Sequence, residues 1–188
     1  MSLDTPGGTL GDPPAEPIVP ELLRGITADL RTDTLDAPEA LKRVWSGLCL
    51  ARLLGLRLAL TDRKWRQRQV NAESVEHQLA RDLGTTATFA DTALTLPSDP
   101  TPRPLAEDEV EDAVRALVEF SAEARTRMLT TAPQASEWHD ERVLRHDSLV
   151  IGGLAAAWLG NRGSYRVDSP QGPQGPQGPQ GPQGPQGP

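Results

Sequence analysis

Two His-Asp pairs, at positions 139–140 and 146–147, carry the side chains most suited to chemistry, because imidazole and carboxylate groups bind metal ions and transfer protons. His139 and His146 are seven residues apart, which on a helix places them on one face but about 10.5 Å apart along the axis. One metal ion needs ligands three or four residues apart on a single helix. We therefore expect exposed or half-buried histidines that share no ion.

Two other spacings were weighed as metal motifs. Glu73 and His77 have the i, i+4 spacing that places two ligands on one helix face, but one pair supplies only two ligands. A di-iron site in a helical bundle uses Glu-x-x-His, whereas Ser74, Ser136 and Val143 stand three positions before the three histidines. The sequence therefore predicts no metal site and no cofactor.

Cys49 is the single cysteine and the remaining candidate nucleophile. It lies among leucines with no neighbouring histidine, and burial in apolar surroundings raises a thiol pKa and makes the thiol inert. One cysteine permits no intrachain disulfide, which fits a reducing cytoplasm. There is no G-x-S-x-G, no phosphate-binding Gly-rich loop and no H-E-x-x-H. We predict no catalytic residues and a non-enzymatic role; an enzyme with dispersed catalytic residues stays open.

Charge argues against nucleic acid as a partner. The net charge is −7, and a polyanion is repelled by an acidic surface unless basic groups form a separate patch. The basic cluster at 63–68 surrounds Trp65, but on a helix its four basic side chains point in several directions. We expect a solvated helix surface there.

The Leu-rich segment at 44–60 does not qualify as a membrane span. It has 17 residues, fewer than the usual ~20, and it carries Arg52 and Arg57. Two central arginines cost roughly 5–7 kcal/mol on insertion, of which the leucines offset about half. With no basic and apolar leader visible at the N-terminus, we expect a cytoplasmic protein without a membrane span.

The apolar pattern predicts an all-α fold, a bundle of four or five helices. Apolar residues recur three and four positions apart in the segments 20–31, 36–60, 61–83, 106–132 and 136–160. The second segment is apolar almost all round and is expected to be central. Asp36 and Ser136 are predicted N-caps, and Gly160 a C-terminal stop. Whether 61–83 is a separate helix, and whether Gly152-Gly153 breaks the last helix, stays open.

The predicted organisation has three parts. A helical domain at 20–162 follows a disordered arm at 1–19, which is rich in Gly, Pro and Asp. Within the domain, a Pro-rich linker near 85–104 joins two helical halves. A collagen-like tail occupies 163–188.

The most regular feature of the sequence is Gly-Pro-Gln, repeated without interruption from Gly172 to Pro188. The pattern resembles the collagen repeat, in which only Gly fits at the axis where three polyproline II chains meet. The resemblance implies an extended tail of about 50 Å, either in a trimeric triple helix or as a single solvated chain. Five triplets and a final Gly-Pro are marginal alone, and a trimeric body would help them associate.

A second resemblance covers the seven residues SLVIGGL at 148–154. They are similar to the cargo-loading peptides of encapsulin-associated proteins, which read approximately S-L-x-I-G-S-L. The resemblance implies partner-binding residues at Ser148, Leu149, Ile151, Gly152 and Leu154. The alternative is that this stretch belongs to the core of the last helix.

Together these features lead us to expect a non-enzymatic structural or protein-interaction module, assembled or displayed through the collagen-like tail. Its expected partner is another protein or further copies of the chain. The alternative is a cytoplasmic accessory or regulatory protein whose tail is a linker and which enters a compartment through 148–154.

Overall fold

The computed structural model describes residues 19–32, 35–90, 92–99 and 102–161. Within these ranges the secondary structure is helical and contains no strand, which confirms the predicted all-α bundle. The five helices are α1 (Val19–Arg31), α2 (Ala37–Ala59), α3 (Arg63–Leu83), α4 (Glu109–Thr131) and α5 (Trp138–Leu159). The predicted arm, except for its last residue, and the predicted tail lie outside the described residues.

Capping groups in the sequence fix several helix ends. The Asp36 carboxylate accepts a hydrogen bond of 2.9 Å from the backbone N–H three residues later and begins α2, as predicted. The Asp62 carboxylate accepts a hydrogen bond of 2.9 Å from the Lys64 N–H, two residues later, and begins α3, so 61–83 does not continue α2. Gly160 ends α5 with φ 73°, a left-handed conformation that glycine adopts without strain.

The start of α5 differs from expectation, and its middle answers a question that the sequence left open. Its N-cap is Glu137, and the predicted cap Ser136 lies one residue too early. The pair Gly152-Gly153 does not break the helix, which runs without interruption from Trp138 to Leu159. A glycine costs only about 1 kcal/mol in a helix, and the packing of α5 against both α3 and α4 outweighs that cost.

The helices close into a ring around one core. Successive neighbours in the ring are α1, α2, α3, α5 and α4, and α4 packs back against α1. The predicted central helix α2 also packs against α4, across the ring. One cluster of buried apolar side chains runs through all five helices. Among the described helices, none is long and apolar enough to cross a membrane.

Two glycines of α2 allow its neighbours to come close. A Cβ atom at Gly47 would overlap the ring of Phe120 on α4, with Cζ only 2.6 Å away. A Cβ atom at Gly55 would lie 2.6 Å from Cζ2 of Trp158 on α5 and would overlap Gln69 on α3. The backbone of α2 is thus in direct contact with large side chains of three helices.

The connection between α3 and α4 is fastened to α2. Its first part forms a short 3-10 turn (Ala87–Phe89). Further along, Arg52 Nε donates to the Pro97 carbonyl (3.0 Å), and Arg57 Nε donates to the Arg103 carbonyl (3.0 Å). The two arginines that argue against a membrane span therefore hold the Pro-rich linker in place.

Candidate functional site

The stretch 148–154 lies inside α5, and three of its five predicted partner-binding residues face the core. Ser148, Ile151 and Leu154 are fully buried, whereas the side chain of Leu149 points outward and Gly152 is half-buried. A partner that bound all five predicted residues together would have to unwind α5. In the folded bundle it can reach Leu149 and the glycine backbone. Cargo loading through this stretch stays a prediction.

The side of α5 that faces solvent presents an aromatic and apolar surface with two arginines, here called the α5 outer surface: Trp138, Arg142, Arg145 and Leu149. Trp138 is 70% exposed and Leu149 is 68% exposed, and their spacing of three turns places them on one face. The Arg142 guanidinium lies over the Trp138 ring, 4.8 Å from its centre.

Three possible metal ligands meet where α3 packs against α5. Asp82 belongs to the last turn of α3, and His146 and Asp147 are adjacent in the middle of α5. One ligand atom from each residue lies within 4.8 Å of the other two. The side chain of Asp147 is fully buried, while Asp82 and His146 lie toward solvent.

The Asp147 carboxylate has an unusual environment for a charged group. Both of its oxygens are buried, and neither accepts a hydrogen bond from a described residue. Burial, reinforced by the nearby negative charge of Asp82, raises the pKa of Asp147 to about 8, against an opposing influence of Arg81. A buried carboxylate without a partner is costly, because its charge is neither solvated nor compensated.

The neighbours of this cluster are hydrogen-bonded side chains at its outer edge. The Gln78 amide lies 3.1 Å from Nε2 of His146, and Arg81 Nε donates to Asp82 at 3.2 Å. His146 Nε2 is also 3.8 Å from an Asp82 oxygen. The solvent side of the cluster is therefore polar, and its inner side is the bare Asp147 carboxylate.

A second charged cluster joins α2 to α3. Arg52 donates to Glu76 (2.8 Å) and to Glu73 (3.0 Å), and the Glu76 side chain is fully buried. Burial raises the pKa of Glu76, and the hydrogen bond and charge of Arg52 oppose that shift. Glu76 Oε1 is buried without a hydrogen bond, but the charge of each group is compensated by another group of the cluster. The cluster therefore serves the packing of the helices. The carboxylate of Glu73, which has metal-binding spacing with His77, instead accepts a hydrogen bond from Arg52.

The remaining candidate catalytic or metal-binding residues are Cys49, His139 and Asp140, and each is part of the packing of the bundle. Cys49 is half-buried, and burial raises the pKa of its thiol to about 11, in line with an inert cysteine. His139 contacts the Thr85 hydroxyl (3.1 Å), and Asp140 accepts a hydrogen bond from the Ala87 N–H (3.1 Å). Both residues of the first His-Asp pair therefore anchor the start of α5 to the chain after α3.

The basic cluster at 63–68 is partly built into the bundle. Lys64 and Arg68 lie over the Trp65 ring, 5.1 and 4.5 Å from its centre. Arg68 also donates a hydrogen bond to the Trp158 carbonyl near the end of α5. This side chain closes the α3–α5 contact.

Sequence reasoning identified two of the three clustered residues and missed Asp82. It examined histidines for partners on the same helix, whereas Asp82 is brought to His146 by tertiary packing across 64 positions of sequence. Asp82 occupies the last turn of an amphipathic helix, where acidic side chains are common and indicate no metal site. Only the packing of α3 against α5 brings Asp82 close to His146, and the sequence pattern does not specify that packing.

Comparisons with protein-family models, with curated proteins and with solved structures found no match. Function is therefore inferred from the residues and their geometry.

Proposed function

We propose that this protein is a non-enzymatic interaction module whose helical body is assembled into a trimer by its Gly-Pro-Gln tail. The observation that carries the proposal is the repeat itself, in which glycine occupies every third position from Gly172 to Gly187. A triple helix requires that regularity, because a side chain at the axis of three polyproline II chains would clash. A flexible linker has no such requirement.

The distance in sequence between the end of α5 and the repeat is compatible with three helical bodies attached to one triple helix. The helix stops at Gly160, and ten residues separate Asn161 from the first repeat glycine, Gly172. Ten residues span at most about 33 Å, which leaves room for three bodies around one triple helix. The repeat has no charged residue, so the three chains do not repel one another there.

Trimer formation would give three copies of the α5 outer surface on one particle. Trp and Arg side chains dominate the binding energy at many protein interfaces, and Trp138 with its stacked Arg142 is such a pair. Linked copies bind a multivalent partner more tightly than single copies, by a factor on the order of 10² or more. In this proposal the tail joins three copies of the chain, and the α5 outer surface of each copy contacts the partner protein.

Mass in solution tests the proposal. The full chain and a version ending at Asp168 are compared by sedimentation equilibrium at low temperature, where a short triple helix is most stable. We expect the full chain at three times its 20.2 kDa mass and the shortened chain as a monomer. A monomeric full chain, or a trimer that persists without the tail, would contradict the proposal.

A further inference from the structure

The cluster of Asp82, His146 and Asp147 goes beyond the proposed function, because neither trimer formation nor a partner contact uses it. Two independent observations point to a ligand. The three ligand atoms lie within 4.8 Å of one another although they come from two helices. The Asp147 carboxylate is fully buried at the base of the cluster, and both its oxygens lack a hydrogen-bond partner among the described residues.

We propose that Asp82, His146 and Asp147 bind one divalent transition-metal ion of the Zn²⁺ type at the contact between α3 and α5. The ion would displace the proton of the Asp147 carboxyl group into solvent, neutralise the two carboxylates, and give the Asp147 oxygens the partner that the protein does not supply. It would also link the end of α3 to the middle of α5.

The donor set selects this class of ion. One imidazole nitrogen with two carboxylate oxygens suits Zn²⁺ and its first-row neighbours, which accept nitrogen and oxygen ligands. Ca²⁺ takes six to eight oxygen ligands and Mg²⁺ an octahedral shell that is mostly water and phosphate, so three ligands with one nitrogen fit them poorly. Three protein ligands leave one tetrahedral position open to water on the exposed side of His146.

The geometry needs a contraction of up to about 1.5 Å, because the ligand atoms now lie within 4.8 Å of one another. His146 and Asp147 are adjacent on α5 and do not have the three- or four-residue spacing of ligands on one helix face, so the third ligand, Asp82 of α3, must complete the set. Ligand atoms of a tetrahedral Zn²⁺ ion, at bonds of ~2.0–2.1 Å, lie about 3.3 Å apart. His146 Nε2 is now 3.8 Å from the Asp82 oxygen, and the His146 side chain is 48% exposed, so rotation of that side chain can shorten this distance. The buried Asp147 provides the fixed point.

Two present contacts compete with the ion. Gln78 occupies the Nε2 atom of His146 (3.1 Å), and Arg81 holds one oxygen of Asp82 (3.2 Å). The Arg81 side chain is 73% exposed and can turn to solvent when the ion binds. We therefore expect Gln78→Ala to bind the ion at least as tightly as the parent chain.

The test is a calorimetric titration of the full chain, without a histidine tag, with ZnCl₂. The variants are His146→Asn and Asp147→Asn, and the matched control is His139→Asn. His139 is exposed on the same helix, seven residues earlier, and contacts only Thr85 among the hydrogen bonds described for it. Circular dichroism of each variant checks that the bundle is folded. His146→Asn changes an exposed side chain, so its result stands even if Asp147→Asn folds poorly.

We expect one Zn²⁺ per chain for the parent and for His139→Asn, with affinity reduced about tenfold or more in His146→Asn. Zn²⁺ should also raise the melting temperature of the parent, because an ion that binds only the folded chain stabilises it. Absence of binding at millimolar Zn²⁺ would overturn the proposal. So would equal affinity in His146→Asn, an equal loss in His139→Asn, or equally tight binding of Mg²⁺.

Discussion

At the scale of single residues, the buried carboxylates of this bundle differ in how they are compensated. Glu76 has the Arg52 guanidinium at 2.8 Å, whereas Asp147 has no hydrogen-bond partner among the described residues. The charge of Glu76 is therefore compensated within the protein, whereas that of Asp147 can be compensated only by a proton or by a bound cation.

The pKa of Asp147 leads to a prediction about stability and pH, made for the chain in the presence of a chelator. The pKa of about 8 in the folded chain lies above the ordinary value of 3.8, so between these values the folded state holds a proton that the unfolded state has lost. Stability is therefore greatest below pH 4 with respect to this group, and declines as the pH rises toward 8. Asp147→Asn removes this dependence.

Denaturant unfolding with EDTA at pH 4 and pH 8 measures the effect. Between the two values, the loss in unfolding free energy should be smaller in Asp147→Asn than in the parent by on the order of 5 kcal/mol. Identical pH profiles for the two chains would contradict the account of Asp147.

Arg52 leads to a second prediction at this scale. Replacement of Arg52 by Met leaves Glu76 buried without its cation, and loss of one partner of a buried pair costs about 3–5 kcal/mol. The double variant Arg52→Met with Glu76→Leu should recover most of that loss. Arg43→Met is the matched control on the same helix, because Arg43 meets Asp29 only at 3.6 Å in an exposed pair worth at most about 1 kcal/mol. Chemical denaturation measures all three; an equal cost for Arg43→Met and Arg52→Met would refute the distinction.

At the scale of elements, the helices are held together by close approach at α2. Gly47→Ala should destabilise the bundle by about 1–3 kcal/mol, because the new methyl group overlaps the Phe120 ring and forces α2 and α4 apart. Gly25→Ala is the matched control, since nothing lies within 4 Å of a Cβ atom at that exposed position of α1. It should stabilise the chain by up to about 1 kcal/mol. Thermal unfolding of the two variants should therefore shift in opposite directions, and a shift in the same direction would contradict this account of the α2–α4 contact.

The elements that sequence reasoning predicted are those with local causes. Asp36 caps α2 through a carboxylate three residues from its donor, and Gly160 ends α5 because it adopts a positive φ. The remaining features depend on tertiary packing. The sequence left open whether Gly152-Gly153 breaks the last helix, and the pair stays helical because α3 and α4 pack against α5. Trp138 is exposed because it lies, with Leu149, on the side of α5 that faces solvent.

The same limit explains the candidate sites. The 148–154 resemblance was visible in sequence, but the burial of Ile151 and Leu154 depends on which face of α5 meets its neighbours. The approach of Asp82 to His146 depends on α3 lying beside α5. Local sequence patterns predict neither the burial of Ile151 and Leu154 nor the proximity of Asp82 to His146.

At the scale of the whole molecule, the body forms a closed ring of five helices, and the collagen-like repeat follows it in sequence. A ring with a shared core leaves the outer sides of its helices for contacts, and α5 carries an exposed tryptophan there. Because α5 precedes the repeat, association of three tails would bring three α5 helices near one axis. The oligomeric state thus determines whether the α5 outer surface acts singly or in threes.

One glycine of the repeat tests this account most directly. Gly178→Ala keeps the length and charge of the tail but places a methyl group where a triple helix has no room. Gln177→Ala is the neighbouring control, since side chains outside the glycine position face solvent. Sedimentation equilibrium should give three times the 20.2 kDa chain mass for the parent and for Gln177→Ala, and a large fall toward the single-chain mass for Gly178→Ala. A parent chain that sediments as a monomer, or a Gly178→Ala trimer as stable as the parent, would contradict assembly through the tail.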